Sequence, residues 1–474
     1  MRSTSLISRV FLFHVHAPCS SISKFSHQKR LRSQQHHLRQ LANMTTHRTL
    51  SQTRVLVHLE ALLLSDCPRY SHETLTSAIL QYIHANFETL SLDDEFYSFD
   101  DDYLETHISK LTVADLVGND SEDIVSLSNC QIEVHIYKLH TLAGTGVLRL
   151  EGEDKPTPVF RATDLPAESL AGLWDGLVYE GNIKGRLLAF MMTALRFSGR
   201  EREMRTMSFN RLVLLHGPPG TGKTSLARSL AHKVAIRMSK QYQRIQLFEI
   251  NSHSLFSKYF SESAKRLGQV FDHFVKQLAD SGLFLVILID EIETLAVSRN
   301  ANGSGAEPKD AMRVVNVLLT SLDKLKAKEN VIVFTTSNLI QHTDSAFLDR
   351  CDIKQFIDTP CIPAAYSILR NCLDDMIQAE IITPIEEPLP CATEASLYLH
   401  ALPDAPQTKL WRIATKCAGL SARTLGKLPF LMHAAYIQRE NCNMEEALEA
   451  LEKTVDDVLE DKKGSSETRH PVLD

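Results

Sequence analysis

Residues 217–224 read Gly-Pro-Pro-Gly-Thr-Gly-Lys-Thr, and this octet constrains the fold of the chain more than any other feature. It matches the phosphate-binding pattern G-x-x-x-x-G-K-[ST], whose glycines let backbone N–H groups turn toward phosphate oxygens. A short apolar run at residues 212–215 precedes it, and apolar residues at helical spacing follow it. A Gly-rich surface turn, the alternative, would lack this strand–loop–helix setting. The octet therefore predicts a nucleoside-triphosphate site in an α/β sheet.

Separate positions of the octet have separate physical tasks. The ammonium of Lys223 neutralises charge on the β- and γ-phosphates, and the hydroxyl of Thr224 is a ligand for Mg²⁺. The predicted cofactors are therefore ATP and Mg²⁺. The residues predicted to bind the nucleotide are Gly217, Pro218, Pro219, Gly220, Thr221, Gly222, Lys223, Thr224 and Ser225, with Val178 and Tyr179 upstream.

Two carboxylates follow the most apolar run of the chain. Residues 283–289 lead directly into Asp290 and Glu291. A strand buried on both faces presents acids at its carboxyl end, where open α/β sheets bind ligands. We therefore predict that Asp290 supports the metal with Thr224 and that Glu291 activates the attacking water, with a charged turn as the alternative. Asn338 follows the next apolar strand, and its amide is a candidate to hold the lytic water or the γ-phosphate.

Composition and charge narrow the class of protein. The 474 residues are 43% hydrophobic and 23% charged, which is ordinary for a globular protein of several domains. Residues 1–54 hold nine Lys/Arg and no acid, which leaves 42 basic against 58 acidic residues in the rest. This excess of acidic residues in the rest of the chain disfavours binding to the phosphate backbone of nucleic acids. The nine cysteines are scattered and form no C-x-x-C pair, which is typical of reduced intracellular thiols. No apolar run approaches the roughly 18 residues that a membrane span needs.

Changes of pattern divide the chain into six predicted segments. Alternating strands near both ends of residues 52–142, with a helical pattern between them, indicate a small α+β domain. Five apolar strands alternate with helices farther on and indicate a parallel sheet, and from residue 363 the pattern is helical. The predicted boundaries are 1–51 for a basic disordered leader, 52–142 for the N-terminal domain, 143–165 for a linker, 166–362 for the large α/β domain, 363–459 for a helical lid and 460–474 for a flexible tail.

Two charged segments leave alternatives open. The first 43 residues are rich in Arg, Ser and His and contain no acid, which is the composition of a mitochondrial transit peptide. A disordered leader, or translation that begins at Met44, is the alternative. The acidic residues 93–95 and 100–102 either recruit a basic partner or form a solvated loop.

The order of these motifs resembles that of AAA+ ATPases, which work as rings and usually as hexamers. The segment 344–350 ends in Arg350, which matches the arginine that reaches into the neighbouring subunit's active site; a surface salt bridge is the alternative. The second arginine that is common in the family is not reproduced. Residues 419–423 resemble the sensor-2 segment, which implies that Arg423 contacts the γ-phosphate of its own subunit.

The family's pore loop has a counterpart at residues 257–262, which read Ser-Lys-Tyr-Phe-Ser-Glu. The resemblance implies that Lys258, Tyr259 and Phe260 line the ring's axis and that Tyr259 grips a substrate polypeptide through its apolar ring area. A position in the core is the alternative for the two aromatic residues.

Several segments resemble the pachytene checkpoint protein 2 family in particular. These segments are residues 173–175, 255–262, 310–316, 336–338, 352–355 and 427–430. The resemblance covers about residues 52–460. It implies an ATP-driven hexameric remodeller that converts HORMA-domain proteins from a closed to an open state. Such a protein disassembles spindle-checkpoint complexes or removes meiotic HORMA proteins from chromosome axes.

The same resemblance implies partners and a location. HORMA-domain proteins and a HORMA-like adaptor are the expected partners, recruited by residues 52–142, and no direct contact with nucleic acid or a membrane is expected. The expected location is the nucleus, at chromosomes and kinetochores, and the cytoplasm. The other hypotheses are a mitochondrial AAA+ assembly chaperone, suggested by the leader, a clamp loader or helicase, and a nucleotide-gated binding module. Charge argues against the clamp loader or helicase, and the intact Glu291 argues against a module without turnover.

Overall fold

The computed structural model describes residues 55–118, 123–141, 160–198, 208–252, 260–278, 282–296, 307–385, 388–399 and 402–467. The predicted leader, residues 1–51, lies outside this part of the chain. No helix within the described ranges is both long and apolar enough to span a bilayer.

The N-terminal domain is a small α+β fold built on a mixed four-stranded sheet. Its elements are β1 (Val55–Leu63), α1 (His72–Asn86), β2 (Thr89–Ser91), β3 (Glu95–Phe96), α2 (Asp102–His107), β4 (Ile108–Val117), β5 (Ile124–Ser126) and β6 (Cys130–Tyr137). The sheet order is β3-β4-β1-β6, with β4 antiparallel and β6 parallel to β1, and β2 pairs with β5 separately. Leu75, Ile79 and Ile83 of α1 are fully buried in the core beneath the sheet. The predicted α+β class is confirmed, and β4 was not predicted.

The ATPase domain is a six-stranded sheet covered by helices on both faces. Its elements are β7 (Phe160–Leu165), α3 (Leu173–Gly176), α4 (Ile183–Ser198), β8 (Leu212–His216), α5 (Lys223–Met238), β9 (Arg244–Asn251), α6 (Phe260–Gln277), β10 (Leu283–Asp290), α7 (Glu307–Lys326), β11 (Val331–Ser337), α8 (Ser345–Leu348) and β12 (Ile353–Phe356). The strand order is β12-β8-β11-β10-β9-β7, and all neighbouring pairs are parallel except β7 with β9. The five predicted parallel strands are confirmed. Because α4 and α5 pack on one face and α6 and α7 on the other, the central strands are apolar throughout.

Strand β7 corrects the predicted linker at residues 143–165. The last six residues of that segment form the antiparallel edge strand of the ATPase sheet, with Phe160 and Leu165 opposite Ile250 and Ile245 of β9. An edge strand has one neighbour only, and β7 keeps an exposed Arg161 between buried residues. This mixed pattern next to a Gly- and Pro-rich stretch does not resemble the continuous apolar runs of the inner strands.

The lid is an all-helical domain with a core of its own. Its elements are α9 (Ile362–Gln378), α10 (Ala392–Tyr398), α11 (Pro406–Lys416), α12 (Ala422–Leu425), α13 (Leu428–Met432) and α14 (Met444–Glu467). Helix α14 corrects part of the predicted flexible tail at residues 460–474, because it continues to Glu467. Lys462 lies in this extension and donates a hydrogen bond from Nζ to the carbonyl oxygen of Gly419 at 2.8 Å. Glu460, Lys462 and Lys463 are good helix formers, whereas the following Gly-Ser-Ser is not, so the polar composition gives no clear signal for the end of this helix.

The N-terminal domain contacts the ATPase domain through charged side chains on α5. Glu60 of β1 accepts a hydrogen bond from Lys233 Nζ at 2.6 Å, and Arg237 lies 3.5 Å from the carboxylate of Asp115 in β4. Ser239, just after α5, donates to the carbonyl oxygen of Ile136 in β6 at 2.9 Å. The helix that begins in the phosphate loop therefore carries the N-terminal domain at its other end.

Candidate active site

The octet forms a tight loop between β8 and α5. The backbone N–H of Gly217 donates to the carbonyl oxygen of Ser337 in β11 at 3.2 Å, which ties the start of the loop to the neighbouring strand. A Cβ atom at Gly217 would lie 2.1 Å from the carbonyl oxygen of Ile357, so only glycine fits. Gly222 precedes α5 with a φ of 89°, a left-handed conformation that also favours glycine. The loop thereby ends at a helix N-terminus, which favours anions.

Lys223 points back across the mouth of the loop. Its Nζ donates to the carbonyl oxygens of Gly217 at 2.9 Å and Pro218 at 2.6 Å. Burial lowers the pKa of this ammonium, and the carboxylates of Glu293 and Asp290 oppose that shift. A cation held in this position suits the predicted contact with phosphate oxygens.

Asp290 and Thr224 meet beside the loop. The hydroxyl Oγ1 of Thr224 donates to Oδ1 of Asp290 at 2.9 Å, and the hydroxyl of Thr336 donates to the same oxygen. A carboxylate and a hydroxyl next to a phosphate loop are the oxygen donors that Mg²⁺ prefers. These residues therefore fit a magnesium ion bound together with a nucleotide.

Glu291 occupies the turn at the end of β10 in an unusual conformation. Its φ and ψ are 55° and 56°, in the left-handed region that few non-glycine residues adopt, and its backbone N–H donates to Thr336 Oγ1 at 3.0 Å. Asn338 lies at the end of the adjacent strand, where its backbone N–H donates to Glu293 Oε1 at 3.0 Å. Glu291 and Asn338 both line the cleft above the loop.

The lid touches the loop directly. The backbone N–H of Arg423 donates to the carbonyl oxygen of Gly220 at 3.2 Å, and Ser421 Oγ lies 2.8 Å from the position of a Cβ atom at Gly220. Ser421 also accepts a hydrogen bond from the N–H of Thr424 at 3.2 Å, which starts α12 and orients Arg423 at its first turn. Arg423 lines the cleft, as the sensor-2 prediction requires.

The cleft has a volume of about 850 Å³. It is lined by most of the predicted nucleotide contacts, and Val178 and Tyr179 form part of its wall. The hydroxyl of Tyr179 is buried, has no hydrogen-bond partner within the described ranges, and lies 3.2 Å from the position of a Cβ atom at Gly222. Burial raises the pKa of this phenol. A buried hydroxyl without a partner beside the loop fits a ligand that supplies one.

Arg350 lies outside this cleft. Its guanidinium makes two hydrogen bonds to Asp323 of α7, each 3.0 Å long, and a third to the carbonyl oxygen of Ala346 at 2.8 Å. The hydrogen bonds to Asp323 raise the pKa of Arg350, and they lower the pKa of the Asp323 carboxyl. Within one subunit the residue therefore forms the salt bridge that was its alternative interpretation, and its role in a neighbouring subunit stays a prediction.

The predicted pore loop falls mostly outside the described residues. Lys258 and Tyr259 lie in the segment 253–259, which is not described, and Phe260 is the first residue of α6. The substrate-gripping role of these three residues stays a prediction.

Sequence reasoning missed two residues that organise the site, Thr336 and Glu293. Thr336 lies near the end of β11, two positions before Asn338, which follows the end of that strand. Glu293 is the third acid of the segment that begins at Asp290, and it resembled a solvent-exposed turn residue. Both act through hydrogen bonds between neighbouring strand ends.

A second polar cluster lies in the N-terminal domain. One ligand atom from each of His58, Glu133 and His135 lies within 4.8 Å of the others. His58 Nδ1 and His135 Nε2 are 2.9 Å apart and share a hydrogen bond, and the cationic Arg237 and Arg196 lie nearby. We therefore attribute this arrangement to the contact between the domains and not to a metal.

A phosphate loop, two acids on the adjacent strand and a helical lid seated on the loop define an AAA+ ATPase. A family model described as ATPase family associated with various cellular activities (AAA) matches residues 213–359. The models of the TRIP13 N-terminal domain and of the TRIP13-like AAA+ ATPase lid C-terminal domain match residues 52–142 and 361–459. The chain belongs to the pachytene checkpoint protein 2 family of AAA+ ATPases.

The relatives are similar over most of their length. Pachytene checkpoint protein 2 homolog of Xenopus tropicalis is 39% identical over 414 residues, which cover 87% of this chain and 95% of the relative. The homolog of Homo sapiens is 41% identical over 377 residues, or 78% of this chain and 86% of the relative. The solved structure of C. elegans PCH-2 covers 85% of this chain and 99% of its own, at 28% identity and a TM-score of 0.66. The predicted fold class, family and ATPase activity are confirmed.

Proposed function

We propose that this ATPase is a hexameric remodeller that opens closed HORMA-domain proteins. The observation that carries the proposal is that TRIP13 family models match both the N-terminal domain and the lid, on either side of an AAA domain. Lys223, Thr224, Asp290 and Glu291 line one cleft in that domain. The family resemblance supplies the substrate class. Disassembly of spindle-checkpoint complexes and removal of meiotic HORMA proteins from chromosome axes are the two settings that we propose.

Each residue of the cleft has a separate role in ATP binding or hydrolysis. Lys223 and the loop amides bind the phosphates, and Thr224 and Asp290 hold Mg²⁺, which when bound neutralises charge on the phosphate oxygens. The carboxylate of Glu291 accepts a proton from the attacking water, and the amide of Asn338 orients that water or the γ-phosphate. Arg423 binds the γ-phosphate from the lid, so that lid position depends on the nucleotide.

Two further residues act between subunits or on the substrate. Arg350 enters the neighbouring subunit's site, which requires it to leave Asp323. Tyr259, with Lys258 and Phe260, grips a segment of the HORMA protein at the axis of the hexamer. The N-terminal domain recruits the substrate or a HORMA-like adaptor, without direct contact to nucleic acid or membrane.

The test is release of a labelled peptide from a closed HORMA complex, with and without adaptor, in the presence of ATP. We expect ATP-dependent release by the intact protein. The Glu291→Gln variant should bind ATP and retain the substrate while hydrolysing little, and Glu452→Gln, an exposed acid on α14, serves as the control for the same chemical change. Failure of the intact protein on every HORMA complex tried, with ATP hydrolysis undiminished, would refute the substrate class and leave the enzyme class standing.

We propose that the protein works in the nucleus, at chromosomes and kinetochores, and in the cytoplasm. The basic, acid-free leader favours a mitochondrial AAA+ assembly chaperone as the second candidate. Fluorescent tagging of the full chain and of a version that begins at Met44 separates the two. Nuclear signal from both versions supports the first proposal, and mitochondrial signal that depends on residues 1–43 supports the second.

A further inference from the structure

The hydroxyl of Thr336 joins the two acids of the active site. It donates a hydrogen bond to Asp290 Oδ1 and accepts one from the backbone N–H of Glu291 at 3.0 Å. Thr336 is 1% exposed, so water does not compete for these bonds. A hydroxyl has one hydrogen to donate and two lone pairs, and both of these contacts fit that capacity.

The first contact fixes the carboxylate of Asp290. Its Oδ1 accepts hydrogen bonds from Thr336 on β11 and from Thr224 on α5, the latter at 2.9 Å. The backbone carbonyl oxygen of Asp290 is held as well, by the hydroxyl of Ser252. The carboxylate is therefore held toward the first turn of α5, where Thr224 and Lys223 lie.

The second contact fixes the backbone of Glu291. This residue has left-handed φ and ψ angles of 55° and 56°, which L-residues rarely adopt without support from surrounding contacts. The hydrogen bond from its N–H to Thr336 supplies such support from the neighbouring strand. The direction in which the Glu291 side chain leaves the strand depends on this turn.

We infer that Thr336 is a positioning residue for ATP hydrolysis, whose hydroxyl aligns Asp290 with Thr224 and fixes the turn that aims Glu291. The inference concerns the ATPase reaction and does not depend on the HORMA substrate. Hydrolysis is sensitive to such alignment, since a displacement of about 1 Å costs about 100-fold in rate.

Thr335 offers a matched control in the same strand. It is also fully buried, and its hydroxyl makes one hydrogen bond, to the carbonyl oxygen of Val213 in β8 at 3.2 Å. Adjacent residues of a strand point to opposite faces. Thr335→Val therefore removes a buried hydroxyl from the sheet without touching either acid.

The experiment compares full-chain Thr336→Val, Thr336→Ser and Thr335→Val. We expect Thr336→Val to lower kcat by about 10- to 100-fold while KM for ATP changes by less than about threefold. Thr336→Ser, which keeps the hydroxyl, should retain kcat within about threefold, and Thr335→Val should retain kcat even where its Tm falls. If Thr336→Val is not recovered folded, Thr336→Ala removes the same hydroxyl without adding volume and carries the same expectation.

Binding of a fluorescent ATP analogue gives a readout that is independent of turnover. In Thr336→Val the gain in affinity on adding Mg²⁺ should shrink, by no more than the roughly threefold limit expected for KM, because Asp290 is no longer held toward Thr224. Affinity in EDTA should stay unchanged. The inference is overturned by a folded Thr336→Val with unchanged kcat. It is equally overturned if Thr336→Ser or the control Thr335→Val loses as much kcat as Thr336→Val.

Discussion

Replacing Glu60 with glutamine tests how the N-terminal domain is attached to the ATPase domain. The side chain of Glu60 is 4% exposed and accepts a hydrogen bond from Lys233 Nζ at 2.6 Å. Arg237, whose side chain is 2% exposed, lies 3.8 Å from the same carboxylate and 3.5 Å from Asp115. The buried carboxylate of Glu60 therefore compensates the charges of two cations of α5, Lys233 and Arg237, at the domain contact.

The cost of the substitution follows from what it leaves behind. Removing one partner of a buried ion pair destabilises a protein by about 3–5 kcal/mol, because the other charge stays buried without compensation. Glutamine retains the shape of the side chain and one acceptor oxygen, and Asp115 still faces Arg237. We therefore expect a destabilisation at the lower end of this range, about 3 kcal/mol. A free energy of about 3 kcal/mol corresponds to roughly a 150-fold change in an equilibrium constant. The equilibrium is between the state in which the N-terminal domain contacts α5 and the state in which this contact is broken.

Hydrogen exchange of the full chain measures the change region by region. Amides of β1 and of the last turns of α5 should lose protection equivalent to about 3 kcal/mol in Glu60→Gln, while amides of α14 in the lid keep theirs. Glu133→Gln is the control, since Glu133 lies on the adjacent strand β6, is 46% exposed, and should change protection by less than about 1 kcal/mol. Equal effects of the two variants, or a loss below about 1 kcal/mol in Glu60→Gln, would refute the reasoning.

Two further predictions address pH and the phosphate loop, the second with a matched control. Burial, with Arg237 nearby, lowers the pKa of His58 to about 2 and that of His135 to about 3, so the folded state stays neutral where the unfolded chain takes up protons. The stability should be fully present at about pH 7.5 and above, and it should fall by about 1.4 kcal/mol per histidine between pH 7.5 and 5.5 as the unfolded chain takes up protons. Denaturant unfolding measures this slope, which should flatten in His58→Gln/His135→Gln. Gly217→Ala should weaken binding of a fluorescent ATP analogue at least tenfold, roughly 1.4 kcal/mol, because the loop must move away from a backbone carbonyl. Gly268→Ala in α6, where a Cβ atom meets nothing closer than 3.7 Å, should leave that binding unchanged; an equal loss in both would contradict the steric explanation.

The parts of the fold that were predicted from sequence are those whose signals are local. Strand β10 is a continuous apolar run because both of its faces are covered by helices, and Asp290 and Glu291 follow it directly. The phosphate loop is likewise contained in eight consecutive residues. Strand, loop and acids could therefore be placed on one sheet edge before any tertiary contact was known.

The parts that were not predicted depend on contacts between distant residues. Thr336 and Asp290 are 46 positions apart, and Glu60 and Lys233 are 173 apart. In an alternating strand, Glu60 has the pattern of a solvent-facing residue, and only the packing of α5 on that face buries it. Strand β7 was assigned to a linker for a related reason, since an antiparallel edge strand lacks the apolar run of the inner strands.

Helix α5 connects the three domains through polar contacts. Its first residue, Lys223, belongs to the phosphate loop that the lid touches at Gly220, and Lys233 holds the N-terminal domain about 15 Å farther along at 1.5 Å per residue. A helix of this length bends little, so a displacement of its first turn also displaces Lys233. The N-terminal domain then moves with α5 unless the ion pairs of Glu60 with Lys233 and Arg237 break. Because the contact joins charged and hydrogen-bonded faces, separating it exposes less apolar surface than a hydrophobic interface of equal area would. We therefore expect the attachment of the N-terminal domain, and not the sheet or the lid core, to be the first contact that yields when α5 moves.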